Sequence, residues 1–177
     1  MPEIIIPTRF LIERTLDSLY TGTLTGFDTP RKQTAGRVQV IKTEFIPAPR
    51  IRAVGVGANT RSAAKTYQTK IFFDDVVYLE DGDDQANAYT FTAPDGQDYM
   101  IEPITYNSND AKVRCSCLDF HWRFAVWNGQ DGSLLGDSPD PYIKKTDRAP
   151  NNPDEVPGLC KHLIALVDKL RQERFLK

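Results

Sequence analysis

Cys115, Cys117, Cys160 and His162 form a C-x-C … C-x-H pattern that uses all three cysteines of the chain and one of its two histidines. Three thiolates and an imidazole are the ligand set of a closed structural zinc site, in which a complete tetrahedron leaves no position open for chemistry. Thiolates select zinc over magnesium or calcium. Mononuclear iron and iron–sulfur centres use related ligands, and the single histidine completing the set favours Zn2+. The plainer account is three ordinary buried thiols with His162 at the edge of a core. Two tight pairs with no cysteine left over favour the metal.

The spacing dictates the elements that must carry these side chains. Two residues apart on an extended strand, Cys115 and Cys117 point to one face; on a helix they would point apart. Cys160 and His162 can share an ion only if Cys160 lies just before, or in an irregular first turn of, the helix carrying His162. Pro157 and Gly158 supply that break. The unpaired amides and dipole of a helix start also favour the negative charge of a tris-thiolate site. Between Cys117 and Cys160 lie 42 residues. Closing that connection is tolerable because loop entropy grows only logarithmically, and the metal would add folding free energy to the C-terminal third.

Other candidates for chemistry have plainer explanations. His121 can substitute as a ligand or support one by hydrogen bonding, but reads first as a surface or packing residue. Phe120, Trp122, Phe124 and Trp127 can stack bases, but read first as the core of a small module. Asp119 is placed to cap a helix, and Arg123 to pair with an acidic neighbour. Ser116 has no assigned base, and the pairs Asp74–Asp75 and Asp83–Asp84 fall in exposed turns. GVGANTRSAAK, from Gly55, lacks the spacing and the GK[ST] ending of a phosphate loop. EDGDD, from Glu80, lacks a calcium-loop pattern. No catalytic constellation emerges, and we expect no enzyme.

The rest of the chain reads as the scaffold. Pro7 to Tyr20 suggests a helix capped by Thr8, with Leu11, Ile12, Leu16 and Leu19 on its apolar side and Gly22 and Gly26 ending it. Strands are expected at Arg37 to Phe45 and Ile51 to Val56, with Pro47 and Pro49 barring a central position. A flexible connection is expected from Gly55 through Ser62. Tyr67 to Leu79 reads as one or two strands, and Tyr89 to Phe91 and Tyr99 to Ile104 as two more joined by PDGQ. A short helix is expected from Asp119 to Trp127, followed by a Gly- and Pro-rich excursion. The final helix, Leu159 to Leu176, would bury Leu159, Leu163, Leu166, Val167 and Leu170. The fold class is α+β, a β-rich body with a zinc-stapled C-terminal helical module. Residues 1–113 hold the N-terminal helix and β-rich body, and residues 114–177 the metal module with its Pro-rich insertion.

Composition narrows the function classes. The 177 residues suffice for one domain, or a domain with a small module. No apolar run approaches the length of a membrane span. MPEIIIPTRF has neither the basic stretch nor the cleavage site of a secretory leader, and an odd cysteine count fits a reducing compartment. A net charge of -2 lacks the positive excess of a dedicated duplex binder.

RCSCLDFHWRF followed by PGLCKHLIAL resembles the SWIM zinc-finger family, with Cys115, Cys117, Cys160 and His162 at its ligand positions and Lys161, Leu163 and Ile164 matching its local texture. The connection is longer than is usual there. SWIM modules are associated with DNA or protein binding. The β-rich front half, RFAVWN, the G-x-L-x-G turn and the stretch through NNPDEVPGLCKHL are together similar to small virion structural proteins of tailed bacteriophages. That similarity implies a capsid, tail or baseplate component, assembled in the host cytoplasm and contacting other virion proteins or further copies of itself. A structural adaptor is therefore the first reading. A nucleic-acid-binding zinc module is the second, with Arg114, Lys144, Lys145, Arg148, Lys161 or Lys169 as phosphate contacts.

Overall fold

The computed structural model describes residues 14–27, 31–141 and 143–177. It is a mixed α+β fold with a β-sheet body and a C-terminal helical region. Helices α1 (Leu16–Thr25) and α2 (Arg31–Ala35) precede strands β1 (Gln39–Ala48), β2 (Ala53–Ser62) and β3 (Lys65–Phe73). A small hairpin, β4 (Tyr89–Thr92) and β5 (Asp98–Ile101), follows, and β6 (Ala111–Cys115) returns to the main sheet. Helices α3 (Leu118–Arg123), α4 (Ala125–Asp131) and α5 (Lys161–Gln172) complete the chain. The main sheet is antiparallel throughout, in the order β1-β2-β3-β6.

Strand β2 corrects the expected flexible connection. Gly55, Gly57, Asn59 and Ser62 belong to a ten-residue strand paired on both sides. Val54, Val56, Ala58 and Thr60 alternate inward and are buried, so the glycines fall on the outward face, where no side chain is needed. Pro47 lies in β1, at the sheet edge, the position a residue without an N–H tolerates. At the opposite edge, residues 133–135 bond to both sides of Val113 and cover β6.

Other boundaries also move. Helix α1 starts at Leu16, with Thr15 as its cap accepting from the Ser18 amide at 3.2 Å. The expected cap Thr8, with Leu11 and Ile12, lies outside the described residues. Gly22 sits within the helix and only Gly26 ends it. The single helix expected from Asp119 to Trp127 is broken at Phe124, whose backbone leaves the helical region so that its ring packs edge-on against Phe27. In the small hairpin the PDGQ turn forms as expected, with Gly96 at a φ of +84° that a side chain would strain.

Helix α5 covers the inner face of the sheet. Leu159, Leu163, Leu166, Val167 and Leu170 are all buried, as the periodicity predicts, and Ile164 joins them. The helix stops at Gln172 rather than at Leu176. Arg174 turns the chain through a left-handed conformation, and Phe175 enters the core beside Phe45, Phe73 and Tyr89. Lys177 then bonds to the Ile104 carbonyl at 2.9 Å. One hydrophobic cluster includes residues from the sheet, the small hairpin, α1 and α3 through α5. No helix among the described residues is long and apolar enough to cross a membrane.

Phe175 is fully buried against three aromatic rings from three strands. Phe175→Ala should cost about 3–5 kcal/mol, lowering Tm by roughly 6–20 °C for a chain of this size. Thermal denaturation followed by circular dichroism checks this, and a shift below about 3 °C would contradict the packing described.

Candidate metal centre

Cys115 is the last residue of β6, opposite Thr69 of β3. The extended backbone runs one pair further, so burial alternates: Cys115 in, Ser116 out, Cys117 in. Ser116 is absorbed by this extension. Its amide bonds to the Gln68 carbonyl at 3.0 Å, and its hydroxyl accepts from the Gln68 amide at 2.9 Å. Cys117 is the N-cap of α3, and its Sγ accepts from the Phe120 amide at 3.3 Å. Cys160 is the N-cap of α5 with an extended backbone, and His162 occupies the first turn behind it. Cys115 and Cys117 thus both lie on extended chain, and Cys160 and His162 straddle a helix start, the two geometries the spacings demanded.

The sulfurs of Cys115, Cys117 and Cys160 and a ring nitrogen of His162 all lie within 4.8 Å of one another. The four residues are 4%, 3%, 0% and 2% exposed, so solvent does not solvate the cluster. His162 Nδ1 stands 4.0 Å from Cys160 Sγ, and its Nε2 is buried with no hydrogen-bond partner. Burying a polar atom unsatisfied costs roughly 1–3 kcal/mol. Three sulfurs and an imidazole converging in a dry site fit a soft divalent ion, and these four residues can coordinate one. Zinc bound there would supply a tetrahedral cross-link, with all four protein ligands in place and no open position.

The thiols do not share charge evenly. Hydrogen bonds from Cys115 and Cys160 hold Cys117 far below the ordinary thiol range. Cys115, hydrogen-bonded to Cys117, is pushed up to about 12, and burial raises Cys160. The Phe120 amide in the first α3 turn also donates to the Cys117 sulfur, which favours its thiolate form. Asp119, in that same turn, is raised by burial and held against it by Arg31. Its carboxylate bridges Arg31 at 3.3 Å and Arg123 at 3.0 Å, so Arg123 makes the acidic pairing expected of it, while Cys117 takes the cap expected of Asp119.

Several residues that position the site were not legible in the sequence. Tyr67 of β3 lies against the His162 ring, centroids 4.4 Å apart, and limits how the imidazole can turn. The strap leading to Cys160 is held by buried polar side chains. Asn128 accepts from the Gly158 amide at 2.8 Å and donates to its carbonyl at 3.2 Å. Thr23 of α1 accepts from the Leu159 amide at 2.8 Å and donates to Leu19 at 2.7 Å. Asn152 donates to the carbonyls of Arg123 and Val156 and accepts from the Val156 amide. Sequence parity could have flagged Tyr67, which shares the inward face with Thr69 and Ile71. For Thr23, Asn128 and Asn152 no local signal exists, because their partners are distant in the chain.

The remaining candidates fall elsewhere. His121 is exposed on α3, its ring edge-on to Trp122 at 4.4 Å, and is not part of the cluster. Phe120 and Phe124 are core residues, while Trp122 is 51% exposed. Asp75, Asp83 and Asp84 are exposed, and Asp74 is half-buried at the end of β3. Gly55 and Gly57 form strand rather than a phosphate-binding loop. Comparisons of the chain with protein-family models, curated proteins and solved structures gave no match.

The strap has no slack at Gly158. A Cβ there would stand 2.6 Å from the Phe124 ring and 2.7 Å from Thr23 Oγ1. Gly158→Ala should cost about 1–3 kcal/mol by overpacking, and should weaken zinc binding because the displaced strap carries Cys160. Competition against a chromophoric chelator measures the second effect. Unaltered zinc affinity would mean that the strap does not position the ligand.

Proposed function

We propose that the chain is a structural adaptor in a protein assembly, and that Zn2+ held by Cys115, Cys117, Cys160 and His162 fixes the shape it presents. The convergence of these four buried ligands carries the reading. They come from two places in the chain, so one ion ties the end of the sheet to the start of the covering helix. All four positions are taken by protein, which supports a structural role over catalysis. The arrangement of C-x-C at a strand end and C-x-H at a helix start supports a SWIM-like finger.

The contact surface is the second part of the proposal. Residues 137–157 carry no helix or strand among those described, yet both Asn152 and Arg114 tie the segment to the body. Ile143, on this excursion, is 80% exposed. An irregular segment anchored to the body and presenting an exposed isoleucine among charges of both signs suits docking to another protein. A virion component of a tailed phage is the assembly we favour, on the resemblance described above.

Native mass spectrometry with elemental analysis of the purified chain should find one zinc per polypeptide. Cys160→Ser and His162→Ala should each lose the metal and lower Tm by roughly 6–20 °C, the equivalent of about 3–5 kcal/mol. Chelation of the wild type should reproduce the effect. A metal-free preparation with unchanged Tm would overturn the zinc reading. An adaptor should also copurify in stoichiometric amounts with other assembly proteins, or form a defined oligomer.

A further inference from the structure

The outward face of the main sheet differs in character from the rest of the molecule. The whole chain has a net charge of -2. On this face, however, Lys42, Arg61, Lys70, Lys112 and Arg114 stand against Glu44 alone. Strand register brings the cations together across the sheet: Lys70 opposes Arg114, and Lys112 opposes Phe72 two pairs further along, on the same face. Lys42 pairs with Glu44 at 2.5 Å. The Arg114 guanidinium donates to the Leu135 and Asp137 carbonyls, which holds its charge at the margin of the sheet. Arg61, Lys70 and Lys112 are exposed.

Shape accompanies the charge. Gly55 and Gly57 leave the centre of the face low, with Asn59 and Gln68 as polar neighbours. Where the sheet meets α3, a groove of about 350 Å³ runs between Lys70 and Arg114 on one side and His121 and Trp122 on the other. Trp122 is 51% exposed at its rim.

We propose that this face binds single-stranded nucleic acid, with phosphates on the cations and a base against Trp122 in the groove. Phosphate attraction alone would require only the charge. An exposed indole beside an open antiparallel sheet adds the stacking surface by which sheet platforms hold unpaired bases. Duplex bases keep their faces within the stack, so an aromatic rim discriminates for the single strand. The groove borders the zinc cluster at Cys115, but neither the cations nor Trp122 belongs to that cluster, and an adaptor that ignores nucleic acid would remain an adaptor.

Fluorescence anisotropy with a labelled oligothymidylate of about 20 nucleotides, longer than a typical single-domain site, tests this on the intact, metal-loaded chain. Neutralising three to five phosphates predicts that log K falls against log salt with a slope of about −2 to −3.5. The double variant Lys70→Glu, Lys112→Glu should bind at least about tenfold more weakly, since both side chains are exposed and the fold is untouched. Trp122→Ala should lose about tenfold at an unchanged salt slope, and Trp122→Phe should recover most of it. No binding at low salt, or binding indifferent to the double reversal, overturns the proposal. Equal affinity for a matched duplex, with no effect of Trp122→Ala, would also overturn it.

Discussion

Four side chains from opposite ends of a 42-residue excursion meet in a site that water does not reach. That convergence constrains everything around it. Thiolate and imidazole groups are costly to bury without a partner, so the surrounding structure has to hold them within a common shell. The sheet does this for the first pair through the Cys115–Thr69 register and the Ser116–Gln68 bonds. Two helix starts do the rest, each presenting a cysteine from an extended N-cap, with His162 in the first turn of α5.

Helix α5 links the site to the fold. The same twelve residues that bury Leu163, Leu166, Val167 and Leu170 on the sheet carry His162 at their start. The hydrophobic packing therefore sets where the imidazole stands, and a metal bond at that point would tighten the packing in return. The polar clamps from Thr23, Asn128 and Asn152 complete the coupling. They satisfy the backbone of a strap that has no secondary structure of its own, which lets its last residues, Gly158 and Leu159, lie buried with their amides bonded. The two faces of the sheet thus have different work. The inner face is committed to the core, and the outer face carries the cations and the glycine floor.

Much of this was legible from the residues alone. Helical periodicity identified the α5 apolar side, and the aromatic and β-branched runs flanking PDGQ identified the small hairpin. The C-x-C and C-x-H spacings named the four converging residues. Strand β2 was misread because glycine is ambiguous: Gly55 and Gly57 mark a loop in most contexts, but here lie outward between strands that supply their hydrogen bonds. The break at Phe124 was hidden for a related reason, since an aromatic at helical spacing does not announce that burying its ring will bend the backbone.

The sequence by itself determined the ligand types, their pairing, and the requirement that Cys115 and Cys117 share extended chain while Cys160 and His162 straddle a helix start. These follow from local geometry, which depends only on neighbours two to four residues apart. Tertiary structure alone decided that Tyr67 would face His162, that Thr23 and Asn128 would hold the strap before Cys160, and that the cations would gather on one side of the sheet. Those contacts join residues far apart in the chain. Their geometry is set by strand register and by the packing of α5, and neither is encoded in any short stretch of sequence.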